Sequence, residues 1–104
     1  MIKAEFFGKD GALSGFRVSG HADYDDEGLD IVCAAVTSAV ELTANAITEI
    51  IGAKADVKVK ENEVTLKLKA VDQQSQSFLE ALKLHLQNLA ESYPENIMLK
   101  FTEE

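Results

Sequence analysis

Two short runs, residues 55–60 and 63–69, alternate strictly between apolar and polar side chains. Val57 and Val59, then Val64, Leu66 and Leu68, share one face, and the intervening lysines point the other way. A period of two is a strand signal. Only Glu61-Asn62 separates the runs, so they form an antiparallel hairpin with one solvated face. Any fold of this chain has to accommodate that hairpin.

The other segments group around it. Residues 1–7 and 14–19 read as two further strands, the second with Phe16 and Val18 on one face. Lys9-Asp10-Gly11 carries the turn residues between them, predicting a second hairpin. Residues 20–29 have no period and read as a polar, acidic loop bounded by glycines. Asp30 then suits the N-cap of a helix whose buried face carries Val32, Val36, Val40, Ile47 and Ile50, with Gly52 as its stop. A second helix runs from about 72 to 92, with a stripe of Phe78, Leu82, Leu86, Leu89 and Tyr93. Pro94 ends it, and residues 96–101 form a last strand. The order β-β-α-β-β-α-β predicts an α+β fold, a mainly antiparallel sheet packed against two helices, in a single domain over residues 1–104. The order of strands within the sheet stays open.

Composition narrows the class. The 104 residues are 46% hydrophobic and 27% charged, ordinary globular values. A single cysteine forms no internal disulfide and fits a reducing compartment. The N-terminal residues lack the pattern of a signal peptide, and Thr37, Ser38, Glu41, Thr43 and Asn45 interrupt the most apolar helix. No membrane span and a cytoplasmic location are expected. The net charge of −8 and the lack of a dense Lys/Arg cluster argue against direct nucleic-acid binding. They suit a basic partner, or simply solubility.

Chemistry can gather in one place. With Asp30 as N-cap, Cys33 is the third helical residue, where unpaired N–H groups and the helix dipole favour a thiolate. The bland alternative is a small buried apolar side chain among Ile31, Val32, Ala34, Ala35 and Val36. His21 stands at the mouth of the loop leading to Cys33, and a thiol–imidazole pair is a way to activate cysteine. A solvent-facing loop histidine is the alternative. Asp30 serves as helix cap, as an orienting residue for His21, or both. The acidic loop residues Asp23, Asp25, Asp26 and Glu27 lack calcium-loop spacing, and Cys33 with His21 gives too few ligands for zinc, so no metal and no cofactor are expected. His85 falls near the stripe of the second helix, in a packing or solvated role.

Gly20-His21-Ala22-x-Tyr24, followed by Gly28-x-Asp30-Ile31-Val32-Cys33-Ala34-Ala35-Val36, resembles the ribosomal-processing cysteine proteases, the Prp family. The resemblance extends along the whole chain. It implies a peptidase that removes a short N-terminal extension from a large-subunit ribosomal protein, cutting after a segment that ends in paired aromatics and alanine, in support of ribosome assembly. It places the catalytic histidine on His21, the nucleophile on Cys33 and the family's aspartate on Asp30. It makes Gly20, Ala22, Tyr24 and Gly28 a substrate-binding loop. The residue four after the cysteine is commonly serine in the family; here it is Thr37, with Ser38 following. The resemblance also implies a homodimer. Two other classes stay in view: a non-catalytic ribosome-assembly binding factor, and a thiol redox sensor acting through Cys33.

Overall fold

The structure is a computed structural model and describes residues 1–21 and 30–104. The strands are β1 (Ile2–Lys9), β2 (Ala12–Ser19), β3 (Ala55–Lys60), β4 (Glu63–Leu68) and β5 (Ile97–Glu103). Helix α1 (Ile31–Asn45) continues into a π-helical turn (Ala46–Ile51), and α2 spans Gln73–Ser92. The order β-β-α-β-β-α-β is as the sequence predicts.

The strands form one five-stranded sheet in the order β3-β4-β2-β1-β5. Three pairings are antiparallel, and β1 with β5 is parallel. Asp10 and Gly11 turn the first hairpin with φ of 52° and 83°, the conformation of a tight two-residue turn that follows strand twist. The register slips between Phe7 and Gly8. There the Gln76 side chain of α2 takes the place of a strand partner, accepting from Leu13 N–H at 2.7 Å and donating to the Leu13 carbonyl. The slip therefore leaves no buried backbone group of Leu13 unpaired.

Both helices contribute to a core with the sheet. Ile2, Ala4 and Phe6 of β1, Phe16 and Val18 of β2, and Leu66 of β4 join Val32, Val36, Val40 and Ile47 with Leu79, Leu82 and Leu86. The Phe6 and Phe16 rings meet at 6.4 Å, tilted by 50°. The opposite face of the sheet is charged, with Arg17 paired to Glu63 at 3.1 Å and Lys67 seated 4.5 Å over the Phe7 ring.

Four expectations need correction. Ile50 is 82% exposed rather than buried, because the π-helical turn is wider and changes the phase of the stripe after Ile47. Leu79 takes the core position in α2, while Phe78, one residue earlier, is exposed. The apolar side of β3 is not covered: Val59 is 74% exposed although Leu66 on β4 is fully buried. Finally, Ile31–Ile51 is a continuous helix long and apolar enough to cross a membrane by length and composition. Here its Val32, Val36, Val40 and Ile47 stripe is the core's own wall.

Candidate active site

The end of β2 is fixed from two sides. Gly20 N–H donates to the Asn62 carbonyl at 2.9 Å, tying β2 to the tip of the β3–β4 hairpin. Gly20 has φ of 92°, and a Cβ built there would run into the Met1 carbonyl oxygen. A side chain at this position is excluded twice, by the backbone conformation and by space. The chain leaves the sheet in a defined direction, and His21 follows.

Asp30 is the N-cap of α1. Its Oδ1 accepts from Val32 N–H at 2.9 Å and from Cys33 N–H at 3.0 Å. Its carbonyl accepts from Ala34 N–H at 3.2 Å. This is how local sequence places Cys33: Asp satisfies the free donors of the first turn, and its charge complements the helix dipole. Val32, fully buried, anchors that turn in the core, and the adjacent Cys33 is half-buried and in no disulfide.

His21 and Cys33 line one cleft of about 370 Å³, within the range of ligand-binding clefts. The cleft runs between α1 and the β3–β4 hairpin. Its apolar lining includes Val18, Val36, Val59 and Val64. The two residues that the sequence reading paired thus face one cleft. Thr37, one turn beyond Cys33, also lines the cleft, whereas Ser38 is exposed outside it. His85 is exposed on α2 and is not part of the cleft. Ala22, Tyr24 and Gly28, and the acidic Asp23, Asp25, Asp26 and Glu27, lie outside the described residues. Among the described residues, no three His, Cys, Asp or Glu side chains are grouped to hold a metal ion.

The first-turn donors are not open in this structure. The backbone N–H groups around Cys33 are natural donors for an oxyanion, but those of Val32, Cys33 and Ala34 are already engaged by Asp30. Sequence reasoning also missed the far wall of the cleft, formed by Val59, Lys60, Asn62, Glu63 and Val64. Its one sequence signal was the pair of valines in β3. Nothing in their spacing shows that β4 pairs with β2 and brings the hairpin tip to Gly20.

A half-buried thiol in the first turn of a helix shares this cleft with an imidazole, the pair of side chains that cysteine proteases use, and the family comparison gives that class. The sequence model of the family described as Cysteine protease Prp matches residues 1–98, and the chain belongs to that family. It is 30% identical over 95 residues to the Ribosomal processing cysteine protease Prp of Staphylococcus aureus strain Mu50, covering 88% of this chain and 90% of that protein. The crystal structure of the Staphylococcus aureus Prp in complex with a covalently linked product peptide superposes with a TM-score of 0.92 at 26% identity, covering 98% of this chain and all of the other. The same protease with a substrate peptide gives 0.84 at 27% identity, with the same coverage. The family resemblance read from the two sequence motifs is thereby shown, and with it the enzyme class.

Proposed function

We propose that this protease removes the short N-terminal extension of a large-subunit bacterial ribosomal protein, with Cys33 as nucleophile and His21 as its base. The observation that carries the reading is the shared cleft of His21 and Cys33. The ribosomal-processing name of the Staphylococcus aureus relative supports the substrate class.

His21 takes the Cys33 proton, and the thiolate attacks the scissile carbonyl. The tetrahedral intermediate collapses to a thioester as His21 returns the proton to the leaving amine. Water, deprotonated by His21, then attacks the thioester and releases the acid with the thiol restored. Asp30 holds Cys33 in place through the first-turn backbone. Its role as cap is visible in the geometry, and an orienting role toward His21 is a separate, testable addition.

The net charge of −8 supports encounter with a basic ribosomal protein. The lone cysteine supports a cytoplasmic location. A homodimer belongs to the same reading, and Ile31, Leu42 and Ile50, exposed by 58%, 69% and 82% along α1 and its π turn, are apolar side chains open to a second copy. The test is intact-mass spectrometry of the extended ribosomal protein incubated with the chain. The expected product is one species shortened at its N-terminus. An unchanged mass after incubation with folded enzyme argues against this substrate.

A further inference from the structure

The cleft wall on α1 is a ladder at helical spacing. Cys33, Thr37 and Glu41 follow one another by four residues, and all three line the cleft. Glu41 is eight residues beyond Cys33, so its backbone lies about 12 Å farther along the helix at 1.5 Å per residue. An extended peptide advances about 3.3 Å per residue, so that distance corresponds to roughly three or four substrate residues.

Among the described residues, Glu41 is the one charged side chain that α1 contributes to the cleft. Lys60 and Glu63 reach the cleft at the hairpin tip, but both also line the charged outer face of the sheet, where Arg17 holds Glu63 at 3.1 Å. Strand alternation turns their side chains away from Val59, whose side chain faces the cleft. Glu41 is exposed, and no cation among the described residues is recorded within ion-pair distance of it. A carboxylate at the end of an apolar trough selects against a like charge and for a cation.

Building on the protease reading of this cleft, we propose that Glu41 is a specificity-determining residue that recognises a basic side chain three or four residues from the scissile bond. It acts by ion pairing with the substrate, at a distance from the reacting atoms. Its effect therefore belongs in KM and binding more than in kcat.

The probes are synthetic peptides with a central Phe-Phe-Ala segment and a single lysine, alanine or glutamate three or four residues to either side. Binding is measured with the Cys33→Ala protein by fluorescence anisotropy, and cleavage with Cys33 intact. With Glu41 present, exchanging lysine for alanine on one side weakens binding and raises KM about 2–5-fold, the worth of an exposed ion pair, and glutamate weakens it further. Glu41→Lys reverses the preference, so that the glutamate peptide becomes the better ligand. Cleavage with no dependence on peptide charge, or a lysine preference that survives Glu41→Lys, overturns the role of Glu41 and leaves the protease reading standing. Charge-dependent binding that Glu41→Lys reverses, without cleavage of any peptide, upholds the contact and removes the proposed substrate segment. Absence of both binding and cleavage overturns the two together.

Discussion

The Asp30 carboxylate accepts a hydrogen bond from the backbone N–H of Cys33 itself, at 3.0 Å. The cap of the helix and the position of the proposed nucleophile are therefore one interaction. Asp30→Asn should keep the cap, whereas Asp30→Ala should cost about 0.5–2 kcal/mol of stability in urea unfolding. If Asp30 acts only as a cap, kcat/KM of Asp30→Asn stays near that of the parent. A large rate loss in Asp30→Asn with unchanged unfolding assigns it the additional role of orienting His21.

Gly20 positions His21 through its backbone. Gly20→Ala meets both a left-handed φ and the Met1 carbonyl. It should destabilise the fold by roughly 1–3 kcal/mol, lowering the melting temperature by several degrees. The second readout is kcat/KM below the melting range, which should fall because His21 moves. A melting temperature equal to the parent's contradicts the claim that this close approach exists.

Val59 and Leu66 lie on the same face of the second hairpin, yet one is 74% exposed in the cleft and the other fully buried. Leu66→Ala should cost about 2–5 kcal/mol of stability. Val59→Ser should change stability by about 0.5 kcal/mol or less and raise KM for a peptide with apolar residues roughly 2–10-fold. Denaturant melts and steady-state kinetics on the pair separate core from cleft.

Charge steering has its own signature. If the net charge of −8 draws in a basic substrate, kcat/KM at low substrate falls as salt rises from 0.05 to 0.5 M, since about 0.1 M salt already screens beyond 10 Å. A flat response leaves the charge as a solubility feature.

Much of this was legible in the chain itself, for reasons that can be named. The two hairpins announced themselves through Asp10-Gly11 and Glu61-Asn62, because turns with positive φ accept few residues; Asn62 indeed has φ of 61°. Asp30 marked the start of α1, and its side chain makes the bonds that an N-cap makes. The parallel pairing of β1 with β5 was not legible, since it joins opposite ends of the chain and leaves no local pattern. Ile50 and Phe78 were misplaced for a different reason. Each lies within about one helical step of the buried stripe, and a π turn or a small rotation of the helix decides which neighbour enters the core. Cys33 and His21 could be picked out by residue type and helix position. That they share a cleft depends on Gly20 being held between Met1 and Asn62, a tertiary fact.

The most direct test of the account compares Cys33→Ala, His21→Ala and His85→Ala in single-turnover cleavage of an extended ribosomal-protein peptide, each variant first shown to be folded. Cys33→Ala should form no thioester and no product. His21→Ala should slow acylation by roughly 10²–10⁴, the range of a general base, and His85→Ala, exposed on α2, should match the parent. Undiminished turnover by Cys33→Ala, or a loss in His85→Ala with none in His21→Ala, contradicts the assignment of this cleft as the active site.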